Sequence, residues 1–205
     1  MNTYPLPLFP LNLVVFPEGI LSLKIFETRY LDMVRECLRN KSAFGVVMMS
    51  VEGDDNSKAT YPFSVTGTSV TILEADVPQT GLMMIRCLGQ QRFRVQSAKQ
   101  QANGLWMGEA EDIENDTELQ IPEDMQLTKL YLRQMIDSFV IQGVSASQMP
   151  FVKPYKLDDC AWVANRWSEI LPIPLPQKQR LLELDSPLVR LELIHDILNA
   201  NTTEN

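Results

Sequence analysis

Histidine and cysteine, on which much enzyme and metal chemistry depends, are scarce in this sequence. Histidine occurs once, at His195, and the cysteines are Cys37, Cys87 and Cys160. A hydrolytic triad or a histidine-based metal site would have to use His195, and no second histidine or cysteine lies near it in sequence. Widely separated cysteines within apolar patterns favour buried thiols in a reducing cytosol over disulfides or a metal site. We therefore predict no catalytic residue, no metal and no cofactor.

Long apolar runs and an excess of positive charge are also missing. No apolar run approaches the roughly 18 residues that a membrane span needs, and the opening residues lack the basic start and cleavage site of a signal peptide. The 205 residues include 18 Lys and Arg against 26 Asp and Glu, a formal net charge of −8. Because nucleic-acid binding draws on clustered basic residues, this composition argues against a nucleic-acid partner. We predict a soluble, cytoplasmic protein with no membrane partner.

Two pairs of polar residues have the side chains for chemistry. Asp158 and Asp159 are paired carboxylates, but their place before an apolar helical stripe fits helix capping, with Asp158 as the predicted N-cap. Ser22 and Lys24 offer a Ser–Lys dyad, which requires a lysine desolvated beside the nucleophile. Both lie on a strand face that we expect to be exposed, so the sequence does not favour a dyad.

The first half of the chain has the pattern of short strands. Leu21, Leu23 and Ile25 alternate with polar residues, which is the period of a strand buried on one face. Polar residues at 52–59 predict an exposed loop, and separators that carry glycine, including 89–91, predict turns. This spacing favours an antiparallel barrel or sandwich. The main predicted strands are 44–49, 67–75, 82–88, 92–97 and 105–113.

Prolines interrupt the opening stretch of the chain, at Pro7, Pro10 and Pro17. Proline has no backbone donor and restricts the residue before it to extended conformations. We therefore expect the opening strands at a sheet edge or barrel rim. An apolar stripe of helical period predicts that a helix follows at 28–40.

The second half of the chain has the pattern of helices. Pro122 predicts a helix start, and the predicted buried stripe of this helix is Leu127, Leu130, Tyr131, Met135 and Phe139. Further helices are predicted after Asp158, at 177–184 and after Ser186. The sequence therefore predicts an α+β protein with a β-rich domain at 1–117, a helical domain at 118–200 and a frayed tail at 201–205.

The motifs of the chain resemble the amino-terminal domain of the Lon ATP-dependent proteases, and most closely the free-standing bacterial proteins built of this domain alone. Thr28 departs from the proline that is common there, but threonine can also begin a helix. The segments that carry the resemblance are 6–11, 15–17, 23–30, 44–47, 67–68, 89–95, 178–179, 181–185 and 191–194.

The resemblance implies a PUA-like antiparallel pseudo-barrel, a C-terminal helical bundle and a role in recognising polypeptide substrates. The chain has no Gly-rich loop ending in Lys-Ser or Lys-Thr to hold nucleotide phosphates, and no serine–lysine peptidase domain. We therefore expect a non-catalytic module that binds a polypeptide or a protein partner, with the ligand where barrel and bundle meet. The alternatives are a small-molecule or nucleotide-derivative binder, by fold analogy, and a hydrolase, which would need a convergent nucleophile and base.

Five polar residues lie within the two motifs of the resemblance. They are Glu27, Arg29, Tyr30, Arg92 and Arg94. In one hypothesis they form a charged pocket that binds a peptide carboxylate or side chain. In the other, Glu27 forms an ion pair with an arginine of the second motif and joins the first helix to the barrel.

Overall fold

The computed structural model describes residues 2–50 and 60–203, so the predicted loop at 52–59 lies outside the described residues. Within them the fold is α+β, as predicted: a mixed sheet of six strands forms a ring-like pseudo-barrel, and helices follow in sequence. The elements are β1 (Tyr4–Leu11), β2 (Ile20–Ile25), α1 (Thr28–Asn40), β3 (Phe44–Met49), β4 (Phe63–Gln79), β5 (Leu82–Gln100), β6 (Trp106–Asp112), a 3-10 turn (Glu123–Met125), α2 (Gln126–Ile141), α3 (Cys160–Ile170), α4 (Leu175–Glu183) and α5 (Pro187–Thr203).

The chain divides into two compact units, Met1–Asn115 and Asp116–Asn205, which we call the β-rich unit and the helical unit. In the β-rich unit the strand order is β2-β5-β4-β3-β1-β6, and a β5–β6 pairing closes the ring. Strands β1 and β3 run parallel, whereas every other pair is antiparallel. Among the described strands, β2 therefore pairs with β5 alone.

Strand β5 corrects the prediction of a turn at 89–91. The chain runs through these residues as one strand, and the register with β4 shifts there, which is the sign of a bulge. A Cβ at Gly89 would lie 2.3 Å from the carbonyl oxygen of Phe16. Glycine is required here because another segment of backbone approaches closely, and sequence alone does not separate that need from a turn.

The opening strands were expected at a sheet edge or barrel rim; within the described residues β2 lies at an edge, whereas β1 lies between β3 and β6. Tyr4–Leu8 pairs with β6, and 8–11 pairs with β3. Pro5 and Pro7 therefore have only β6 beside them, and Pro10 has only β3. Backbone N–H groups alternate between the two sides of a strand. The nitrogen of each proline, which carries no hydrogen, can therefore face the side that has no partner strand.

The β-rich unit has two apolar cores, one on each side of the sheet. The first lies under α1, where Val34 and Cys37 pack against residues of β2, β3 and β5. Helix α1 spans the predicted residues and ends at Lys41, which has a φ of 51°. The second core contains Leu8, Phe63 and Phe93. Leu21 and Ile25 of β2 face this core, so the other face of β2 points away from α1.

The helical unit buries a different face of α2 from the predicted one. Met125, Thr128, Leu132 and Ile136 are buried, whereas Leu127, Leu130 and Tyr131 of the predicted stripe are exposed. The Thr128 carbonyl accepts a hydrogen bond from Trp167 Nε1 at 2.9 Å, which turns the threonine side of the helix inward.

The ends of α3 and α5 differ from the predictions in detail. Helix α3 is capped by Asp159 rather than Asp158, since Asp159 Oδ2 accepts from the Trp162 backbone N–H at 3.1 Å. Helix α5 begins at Pro187 and continues to Thr203. The last two residues of the predicted tail, 204–205, lie outside the described residues.

Candidate functional site

Three of the five predicted site residues meet at the start of α1. Arg29 Nη2 lies 2.7 Å from Glu27 Oε2, and Arg29 Nη1 donates to the Gly104 carbonyl at 2.9 Å. The Arg29 guanidinium also lies 4.7 Å from the ring centroid of Tyr30, which stacks on Phe9 at 3.8 Å. The Arg29–Gly104 hydrogen bond links the start of α1 to the turn between β5 and β6.

The other two predicted residues lie elsewhere on β5. Arg92 is buried, and its Nη2 donates to the Glu114 carbonyl at 3.4 Å. Arg94 is exposed and lies opposite Glu111 in the register. Glu27 instead pairs with Arg29 at the start of α1. The expected ion pair between Glu27 and Arg92 or Arg94 is therefore wrong.

We expect the Glu27→Gln variant to lose little stability. Its ion pair with Arg29 is partly exposed, and pairs in contact with solvent contribute about 0–1 kcal/mol to the free energy of unfolding. Arg29 keeps its bond to the Gly104 carbonyl in the variant. Urea unfolding followed by fluorescence measures the difference, and a loss of about 3 kcal/mol or more would show that Glu27 forms a buried pair instead.

Strand β2 has one neighbour in the sheet within the described residues, because it pairs with β5 alone. The direction of its backbone groups follows from one bond at its start, where the Gly89 N–H donates to the Gly19 carbonyl at 2.8 Å. Hydrogen-bonded pairs alternate along an antiparallel ladder, so Leu21, Leu23 and Ile25 bond to β5. The N–H and C=O groups of Ile20, Ser22 and Lys24 point the other way. We call this side of β2 the open edge.

A surface depression adjoins the open edge on the outer face of the sheet. Its volume is about 460 Å³, and β2, β4 and β5 line it. Two cross-strand rows form its floor, Ser22–Arg86–Glu74 and Lys24–Met84–Asp76. Arg86 Nη1 lies 3.5 Å from Glu74 Oε1, and Met84 is 42% exposed. This outer depression therefore offers the exposed Met84 side chain among charges of both signs.

The two faces of β2 have opposite characters. Leu21 and Ile25 are buried in the core under α1, whereas Ser22 and Lys24 are exposed, as the sequence predicted. Phe26, the residue that follows β2, is 71% exposed. A large apolar side chain thus stands in solvent at the end of the open edge.

The ionisable groups of the described residues form no metal-binding cluster. Residues 2–50 and 60–203 contain no group of three or more His, Cys, Asp or Glu side chains placed to hold a metal ion. Burial raises the pKa of the Cys87 thiol to about 12 and that of Cys160 to about 11, which disfavours the nucleophilic thiolate. His195 Nε2 lies 2.9 Å from Asn199 Nδ2 on α5. None of the described helices is long and apolar enough to cross a membrane.

A second cavity lies in the helical unit, between α4 and α5. It has a volume of about 300 Å³ and is mainly apolar, with Leu181, Leu184 and Leu193 in its lining and Arg180 and Asp196 among the polar residues. Neither cavity was predicted from the sequence. The alternation in β2 predicted its exposed face, but the prolines did not distinguish which of the opening strands has a single neighbour.

The chain is similar to known proteins over nearly its whole length. The family model of the ATP-dependent protease La (LON) substrate-binding domain matches residues 5–200. The Lon N-terminal domain protein from Xanthomonas campestris is 34% identical, with a TM-score of 0.73 over 93% of this chain and 96% of that chain. The N-terminal domain of the Mycobacterium avium complex Lon protease shares the fold at 13% identity, with a TM-score of 0.59 over 94% of this chain and 97% of that one. No curated protein matches the sequence.

Proposed function

Because the chain belongs to the family of the Lon substrate-binding domain, we propose that it is a non-catalytic module that binds polypeptides through the open edge and outer depression of its β-rich unit. The observation that carries this proposal is that β2 has one neighbour in the sheet and is next to an open depression. A sheet surface of this kind presents backbone groups and side-chain contacts to a polypeptide at the same place.

The composition of the outer depression suits varied polypeptide segments. Met84 is a flexible, polarisable side chain that adapts to different apolar partners. Lys24 and Asp76 lie on either side of it in the same row and can pair with charges of either sign. The thiols described above are buried and disfavoured as nucleophiles, and the sequence contains no phosphate-binding Gly-rich loop. Binding without bond cleavage is therefore the function that this surface supports.

Binding of a labelled, chemically unfolded polypeptide, measured by fluorescence anisotropy, tests the proposal. We expect Met84→Glu to weaken binding about tenfold or more, because it replaces the apolar contact with a charge beside Asp76. Met49→Glu is the matched control, since Met49 on β3 is 40% exposed and Met84 is 42% exposed. The control should bind like the wild type. Absence of binding by the wild-type chain, or equal weakening by both variants, would contradict the proposal.

A further inference from the structure

Within residues 2–50 and 60–203, the side of β2 away from β5 carries backbone groups that no other strand pairs with. Ile20, Ser22 and Lys24 direct their N–H and C=O groups to the open edge, and Ser22 and Lys24 are exposed there. We infer that an extended, non-native polypeptide segment binds as an added strand antiparallel to β2, through the backbone groups of these three residues. The inference rests on the proposed function and specifies how the polypeptide is held.

The spacing of the backbone groups selects an extended occupant. Residues that point to the same side of a strand recur every second residue, about 6.5–7 Å apart. Only another extended chain presents donors and acceptors with this period, because a helix satisfies its own backbone groups internally. A folded helical protein therefore cannot use the open edge, whereas a segment exposed by unfolding can.

The side chains around the edge define which segments fit. In an antiparallel pair, directly opposed residues place their side chains on the same face. Segment residues that bond to β2 therefore lie beside Ser22 and Lys24 on the outer face, where polar or acidic side chains are favoured. The alternate residues lie on the side of Leu23, which is half-buried against the core under α1. Phe26 adds an apolar contact at the end of the edge. The preferred segment alternates polar or acidic residues with apolar ones, as in a half-buried strand.

Two isomers of one N-methylated peptide test this mode of binding on the wild-type chain. The parent is a seven-residue peptide that alternates apolar residues with threonine and glutamate. One isomer is methylated at the backbone nitrogens of its polar residues and the other at those of its apolar residues, so each has a single blocked edge. We expect methylation of the polar residues to weaken binding about tenfold or more, since it removes donors to the carbonyls of β2. Methylation of the apolar residues should leave the affinity close to that of the parent.

The outcomes of the peptide experiment separate the two levels of the proposal. Failure of the unmethylated parent and of unfolded polypeptides to bind would contradict the proposed function itself. Binding of the parent with equal affinities for the two isomers would overturn strand addition and leave the proposed function standing. A larger loss for the isomer methylated at its apolar residues would overturn the antiparallel direction.

A variant of the chain provides a second, independent test. Ser22→Pro removes one N–H from the open edge and no donor to β5, so we expect peptide binding to fall about tenfold or more. The melting temperature shows whether the variant is folded, and the peptide isomers test the inference on the wild type if it is not. Sedimentation of the free chain tests the other possible occupant. A dimer that the peptide dissociates would show that a second copy occupies the edge, and would overturn the assignment to a non-native segment.

Discussion

Replacing Arg190 with methionine should destabilise the helical unit by about 3–5 kcal/mol, because it removes the positive charge that faces a mostly buried carboxylate. Arg190 is 0% exposed, and its Nη1 lies 2.6 Å from Asp116 Oδ2. The same guanidinium donates to Asn165 Oδ1 at 2.9 Å and to the carbonyls of Leu181 and Leu184 at 2.8 and 2.6 Å. One side chain thus joins α5 to α3, to the end of α4 and to the first residue of the unit.

Urea unfolding followed by tryptophan fluorescence measures this loss, since Trp162 and Trp167 are buried in α3. The double variant Arg190→Met with Asp116→Asn is the control. The double variant should lose less stability than the sum of the two single variants. Replacing both residues removes both charges of the pair, so neither charge remains to face an uncharged side chain. A loss below about 1 kcal/mol for Arg190→Met would contradict the role of this side chain, since that is the size expected of an exposed pair.

Replacing Phe93 with alanine should cost the β-rich unit about 3–5 kcal/mol, the usual cost of emptying a phenylalanine site in a core. Phe93 is fully buried beside Leu6, Leu8 and Val47. A Cβ placed at Gly45 would lie 2.6 Å from the tip of its ring. The Phe93 side chain therefore occupies the space left by the absent side chain of Gly45. Its removal leaves a cavity that the rigid strands cannot fill.

The control for this prediction removes the same side chain from the surface. Phe26 is 71% exposed, so Phe26→Ala should change the free energy of unfolding by about 0.5 kcal/mol or less. Thermal unfolding of both variants with the wild type gives the comparison. Similar losses for the two phenylalanines would show that Phe93 does not fill the core as described.

Elements with a strong period and clear ends were predictable from the sequence. Helix α1 and strand β3 occupy the predicted residues, because one has an apolar stripe of period 3.6 and the other a continuous apolar run. The family resemblance and the α+β pseudo-barrel with following helices are confirmed as well. These features depend on local patterns and on the order of motifs, both of which a sequence displays directly.

The features that were not predictable depend on contacts between distant segments. Gly89 has the local appearance of a turn, and only the approach of the Phe16 carbonyl shows that it belongs within β5. Helix α2 carries apolar residues on two faces, and tertiary packing selected the face that contains Thr128 and Leu132. In both cases local patterns allow two structures, and long-range packing decides between them.

The candidate site shows the same division. Residues of the first motif, Glu27, Arg29 and Tyr30, meet at the start of α1, because they are close in sequence. Arg92 bonds to the Glu114 carbonyl and Arg94 lies opposite Glu111, since motif order does not reveal which residues meet in the fold. The prolines predicted an edge or rim position for the opening strands, which is confirmed for β2 but not for β1, because which strand lies at the edge depends on where the ring closes.

Residue-resolved amide hydrogen exchange in β2 tests most directly whether a polypeptide binds this edge. In the free chain we predict fast exchange at Ser22 and Lys24 and slow exchange at Leu21, Leu23 and Ile25, whose N–H groups bond to β5. Saturation with the unmethylated peptide should slow exchange at Ser22 and Lys24 by about tenfold or more. Unchanged exchange at these two amides in the saturated complex would contradict binding at β2.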